Sequence, residues 1–304
     1  MRDNVSGILL MNKPAGFTSH DVVAKLRGIL HMRKIGHGGT LDPLATGVLP
    51  VFLGGATKAA DFAAAQDKEY IAGFTLGFST DTQDIGGAVL QTSQKTVSQT
   101  DIEKILYKFI GKQQQIPPMY SAVKINGKKL YELARKGKEI DRPPRDINVQ
   151  ALTLLSFDPE TRKGSLRCIV SKGTYVRTLI NDIGEVLGAK ACLHSLIRIR
   201  AGQFAIENCH TFAEVEQAAA NGMLHTLLTP TDSLFTEYPA VVLSQEGAER
   251  AARGAVVFPR MAKGLEPISS DALYRVYYED RFLMLGQTRP LNIGGFGLFV
   301  YQNF

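Results

Sequence analysis

Apolar residues recur along this chain at two spacings, and the changes between them outline its elements. Thr18 with Asp21 has the form of a capping box, opening a helix that runs through Leu30. Thr100 with Glu103 makes a fuller box. Ile102, Ile105, Leu106, Phe109 and Ile110 follow on one helical face, and Gly111 closes the segment. Another helix opens at Thr211 with Glu214 and stops at Asn221-Gly222, and Val176, Leu179, Ile180, Ile183, Val186 and Leu187 mark a further one. Between these lie the strand-like runs VLPVFLG, EYIAGFTLG, GGAVLQT, ALTLLSF and SLRCIVS. They keep no regular βαβα beat, so the expected class is α+β, with a mixed, mostly antiparallel sheet flanked by helices. From Tyr238 onward the pattern changes to one short helix, Ser244 to Arg253, ended by Gly254, and then to the compact runs LYRVYYE, FLMLG and GLFVYQ. Two units are predicted, residues 1–237 and a small β-rich unit at 238–304, with the passage between them near Pro230 to Pro239.

The 304 residues suffice for that division, and 44% hydrophobic with 21% charged residues is ordinary globular composition. No apolar run approaches the roughly 20 residues of a membrane helix, and the first ten residues do not read as a signal peptide. Three cysteines without CxxC spacing fit a reducing cytoplasm better than a disulfide framework or a zinc site. Lysine and arginine exceed aspartate and glutamate by 35 − 29 = +6, which only hints at a polyanionic partner. The placement says more. From Lys104 to Arg145 eleven basic residues face three acids, a local 11 − 3 = +8 interleaved with Tyr107, Phe109, Tyr120 and Tyr131. Such a tract suits a phosphate backbone with splayed bases, and it equally suits a solvated lysine-rich face over ordinary core aromatics.

The stretch from Gly36 to Gly47, GHGGTLDPLATG, is the most unusual. Its four glycines let the backbone bend and approach a ligand closely, while Pro43 stiffens the segment that carries Asp42. Apolar neighbours disfavour a charged carboxylate there, so an ionised Asp42 needs a nearby cation. Arg177 offers one. It lies in the first turn of a helix after a buried strand, where a cation opposes the helix dipole and so needs a reason. Pairing with a carboxylate would supply it, although a capping Asp-Pro turn and a surface arginine account for each residue taken alone. Tyr70 alternates in a strand and reads as packing. His37 has no second metal ligand at suitable spacing, and no metal is expected. The chain has no HExxH, P-loop, GxGxxG or GxSxG, so no nucleotide cofactor is expected either.

Taken together, GHGGTLDPLATGVLP, DKEYIAGFTLG, IPPMYSAVKINGKKLYELAR and SKGTYVRTLINDIGEVLG closely resemble the TruB family of bacterial tRNA pseudouridine synthases. The opening GILLMNKPAGFTSHDVV matches too. The resemblance runs from residue 6 to about 200, and the final unit is only loosely similar to the RNA-binding PUA module of that family. It implies a pseudouridine-synthase-type catalytic domain that isomerises uridine at position 55 in the T-loop of tRNA, needs no cofactor, and has an accessory part in tRNA folding. Under it Asp42 falls on the catalytic aspartate and Arg177 on its arginine partner. His37 falls on the residue that fills the place of a flipped-out uridine, Tyr70 on the ring that stacks on that base, and Tyr175 and Leu196 on pocket-lining positions. Lys124, Lys128 and Lys129 become candidates for the RNA backbone. The expected partner is the T-arm and T-loop of tRNA, bound by a monomer. A carboxylate-dependent glycosidase is the remote alternative, disfavoured because no second acid accompanies Asp42 at a motif position.

Overall fold

A computed structural model describes residues 5–125, 127–266, 270–292 and 294–304. Ten strands form the main sheet: β1 (Gly7–Lys13), β2 (Ile35–His37), β3 (Thr46–Leu53), β4 (Lys68–Leu76), β5 (Gly111–Gln115), β6 (Arg145–Asp158), β7 (Lys163–Val170), β8 (Ala191–Ala201), β9 (Phe204–Ala205) and β10 (Leu228–Thr229). The order is β10-β1-β3-β8-β4-β7-β6-β5, with β2 paired to β3 and β9 to β8. Only β3 and β8 run parallel, so the sheet is mixed and mostly antiparallel as the pattern implied.

β1 reads GILLMNK, and its continuous apolar run is explained by burial on both faces. Leu9 and Met11 enter one core while Ile8 and Leu10 enter another; Leu49 and Val51 divide from Val48 and Phe52 on β3 in the same way. The larger core is covered by helices α1 (Ser19–Leu30), α2 (Gln99–Leu106), α3 (Val176–Leu187) and α4 (Phe212–Ala220). α1 and α4 start at the expected boxes, Thr18/Asp21 and Thr211/Glu214. α2 does not start at Thr100. Its cap is Ser98, whose side chain accepts from the Asp101 amide while Asp101 answers the Ser98 amide. Val97, just before the cap, and Ile102 are both buried in the same core, a hydrophobic staple that selects this frame. GGAVLQT also departs from expectation: Val89–Thr92 pairs only with Phe78–Thr80, in a hairpin outside the main sheet.

Residues 240–303 form a second sheet of β11 (Ala240–Leu243), β12 (Ala262–Lys263), β13 (Leu273–Tyr278), β14 (Arg281–Pro290) and β15 (Phe296–Asn303), with α5 (Gln245–Ala252). It has its own core around Val241, Val276 and Leu298. It meets the larger part through Phe235, whose ring packs against Phe62 on one side and Phe282 and Phe304 on the other. Among the described residues no helix is long and apolar enough to cross a membrane.

Candidate active site

The site lies on the helix-covered face where β3 and β8 run parallel. Gly47 makes that contact possible. Its φ is +96°, a conformation that favours glycine, and an added Cβ would stand 2.3 Å from the Arg198 carbonyl oxygen. The loop between β2 and β3 is fastened to the start of α1: the Leu41 amide donates to Ser19 Oγ at 2.8 Å, and the Gly16 amide donates to the Pro43 carbonyl at 2.8 Å. Lys13, fully buried, adds bonds to the Pro14 and Phe17 carbonyls. Burial lowers its pKa to about 8, and the Asp42 charge opposes that shift.

This loop presents Asp42 to Arg177. Nε of Arg177 donates to Asp42 Oδ2 at 2.8 Å, with the arginine 4% and the aspartate 36% exposed. The rest of the guanidinium is also committed: Nη1 donates to the Thr82 carbonyl at 2.7 Å and Nη2 to the Tyr120 carbonyl at 2.9 Å. Among the described residues no donor holds Asp42 Oδ1, so one carboxylate oxygen is fixed and the other is free of partners among them. The cation in the first turn of α3 therefore has the reason its position demanded.

Of the remaining expected residues, Tyr70 and Tyr175 lie within electrostatic reach of Asp42, while Leu196 and His37 are located by their strands alone. Tyr70 on β4 is 8% exposed, and burial raises the pKa of its hydroxyl. Leu196 on β8 pairs with Ala72 of β4 and is 6% exposed. Tyr175 is the N-cap of α3. Gln115 clamps it at two points, accepting from its amide at 2.8 Å and donating to its carbonyl at 3.1 Å. Burial raises the pKa of its hydroxyl as well, and both Asp42 and Arg177 act on it electrostatically. His37 ends β2, with its pKa lowered by burial and then by His20 and Arg198. Its Nδ1 is buried without a hydrogen-bond partner among the described residues. Lys124, Lys128 and Lys129 stand apart on a small hairpin, Lys124–Ile125 with Lys128–Lys129. That hairpin begins four residues after Tyr120, whose carbonyl binds Arg177. Lys124 and Lys128 are exposed, and the Lys129 ammonium lies 5.4 Å from the Tyr131 ring centroid.

Three participants have no counterpart in the sequence reading. Asp84 is a second carboxylate at Arg177, with Oδ2 3.7 Å from Nη1. Its Oδ1 accepts from Thr82 Oγ1 and the Gly86 amide, so it is held as part of the turn behind the arginine. Gln83, at φ +63°, accepts from Thr178 Oγ1 at 2.7 Å and ties that turn to α3. Arg198 lies buried behind the loop. The run TDTQDIGG, dense in turn formers between two strands, was the signal available for the first two.

Comparison with known proteins gives the family and the fold. Residues 27–176 match the TruB family pseudouridylate synthase N-terminal domain, and residues 177–236 match the tRNA pseudouridylate synthase B C-terminal domain. Their junction falls at the start of α3, and the main sheet runs across it, with β1–β7 before and β8–β10 after. The chain is 43% identical over 256 residues to a tRNA pseudouridine synthase B of Bacillus cereus, covering 82% of this chain and 83% of that one. It is 45% identical over 259 residues to the Geobacillus thermodenitrificans protein of the same name, covering 83% and 86%. Among solved structures, a Cbf5-Nop10-Gar1 complex aligns with a TM-score of 0.72 at 27% identity, covering 98% of this chain and 84% of that one. Sequence similarity over most of the length and a shared fold thus converge, and the chain belongs to the TruB family of pseudouridine synthases.

Proposed function

We propose that this protein isomerises uridine to pseudouridine at position 55 in the T-loop of tRNA, with Asp42 as the nucleophile. The observation that carries the reading is the Asp42–Arg177 pair, with one carboxylate oxygen fixed and the other free of partners among the described residues. The relatives' shared name supports tRNA as the substrate. The reaction breaks the N1–C1′ bond, joins C5 to C1′, and moves one proton from C5 to N1, so it is balanced without an outside reagent. The chain supplies a carboxylate held in one orientation by a buried cation. Tyr70 stacks on the base, and Leu196 and Tyr175 line the pocket.

A base inside a folded loop must be extruded, at a cost of a few kcal/mol. His37 is suited to fill its place. Its Nδ1 gives up no hydrogen bond to the described residues when the ring swings into the RNA. Lys124, Lys128 and Lys129 hold phosphates of the T-arm, giving affinity without sequence choice. Residues 1–237 serve as the catalytic domain and 238–304 as an added RNA contact, where Arg250 and Arg260 both lie over the Phe258 ring, at 5.1 and 5.5 Å. The same basic surfaces allow an accessory part in tRNA folding. The test is incubation with an unmodified tRNA transcript and mapping of pseudouridine along it. Modification confined to the T-loop uridine supports the reading; modification elsewhere, with that uridine untouched, overturns it.

A further inference from the structure

Arg198 is 1% exposed and is one of the largest fully buried side chains, yet none of the ion pairs among the described residues includes it. Keeping a guanidinium from water without a carboxylate costs several kcal/mol, so its bonds to the chain must repay that cost. Nε donates to the Val48 carbonyl at 2.7 Å, Nη2 to the Gly39 carbonyl at 3.2 Å and Nη1 to the Thr40 carbonyl at 3.4 Å. The three acceptors lie on both sides of Asp42 in the chain: Gly39 and Thr40 precede it, and Val48 follows it. On β8 Arg198 is the register partner of Tyr70, and its charge acts on both Tyr70 and His37. One buried side chain therefore touches the whole frame of the catalytic loop and faces two further pocket residues.

We propose that Arg198 is a positioning residue for the isomerisation, its guanidinium clamping Gly39, Thr40 and Val48 together so that Asp42 meets a base stacked on Tyr70. The inference rests on the reading of Asp42 as nucleophile. A forked donor suits the task, because each of the three acceptors is met by a different nitrogen of one planar group. Lys68, buried nearby with its ammonium on the Ala64 and Gln66 carbonyls, shows that this interior accepts a lysine. Arg198→Lys therefore keeps the charge and the fold while losing the fork. Arg198→Met loses both charge and fork.

The experiment compares Arg198→Lys, Arg198→Met and Asp42→Asn with the wild type on one tRNA transcript. Single-turnover rate, tRNA Kd, and amide exchange in peptides spanning residues 38–48 are measured. For Arg198→Met the rate is expected to fall at least about 100-fold, as for a misplaced reacting group, with Kd within about threefold. Faster exchange is expected to be confined to the 38–48 peptides, and Arg198→Lys to fall between. Rates within about threefold of wild type for both variants would overturn the clamp. So would a rate loss accompanied by faster exchange throughout the protein, which marks general loosening. If Arg198→Met does not fold, Arg198→Lys decides by the same criteria. An active Asp42→Asn would instead overturn the nucleophile reading, whereas an inactive one beside fully active Arg198 variants would remove the clamp alone.

Discussion

Replacing Arg177 by methionine removes three hydrogen bonds from a charged donor, to Asp42 Oδ2, the Thr82 carbonyl and the Tyr120 carbonyl, at 2.8, 2.7 and 2.9 Å. Bonds of this kind contribute about 1.5–3 kcal/mol each, and breaking one side of a buried pair costs about 3–5 kcal/mol. Two features lower the cost here. Asp42 is 36% exposed and recovers water, and Thr82 and Tyr120 are only half-buried. Methionine also fills much of the vacated volume. The expected loss is therefore about 2–4 kcal/mol, a large part of the ~5–15 kcal/mol that holds a domain folded. Urea unfolding followed by circular dichroism measures it as a lower midpoint at an unchanged slope. Catalysis should suffer more, because Asp42 is no longer held against the pocket wall, and the single-turnover rate on tRNA should fall by about 100-fold or more. Arg177→Lys keeps the charge but reaches fewer acceptors, so its loss should be smaller on both scales. A stability change under about 0.5 kcal/mol, or a methionine variant within about tenfold of the wild-type rate, would refute the role given to the pair.

Gly47→Ala places a side chain at φ +96° and 2.3 Å from the Arg198 carbonyl. Strain and overpacking together should cost about 2–5 kcal/mol, seen as a fall in Tm. Asp182 has its pKa raised by burial from 3.8 to about 6. The folded state binds that proton more tightly than the unfolded chain, so its stabilising effect is complete below the lower value and is lost as pH rises through the upper one. Asp182→Asn should therefore match wild type near pH 4 and exceed it by about 1–2 kcal/mol above pH 6, allowing for the group's partial exposure; parallel stability curves across this window would contradict the burial argument. Joint replacement of Lys128 and Lys129 by glutamine should reduce the salt dependence of tRNA binding by about one to two in log–log slope, and an unchanged slope would mark the hairpin as a solvated face.

Periodicity made most helices legible because their apolar faces and caps are local. It failed where tertiary packing chose between local options. Ser98 and Thr100 both begin acceptable boxes, and only burial of Val97 with Ile102 selects the former. β8 was hidden because bulges between Leu193 and Ser195 and between Arg198 and Arg200 shift its alternation. For the same reason Arg198 looks like a solvent-facing strand residue, although it is 1% exposed. β1 is absent from the strand-like runs because a strand buried on both faces has no alternation to read. Asp42 and Arg177 each had an ordinary explanation alone. What joined them was the family resemblance and the dipole argument against a cation in the first turn of α3, and the 2.8 Å contact supplies the missing geometry. Asp84 reaches the same arginine by tertiary folding alone, with a partner 93 positions further along the chain (177 − 84).

The central claim, that the carboxylate of Asp42 does the chemistry, is tested most directly by Asp42→Asn, which keeps size and shape while removing the charge. Its tRNA binding should stay within a few-fold of wild type, with no pseudouridine in the T-loop after prolonged single turnover. Pseudouridine formed by that variant at a rate within about tenfold of wild type would contradict it.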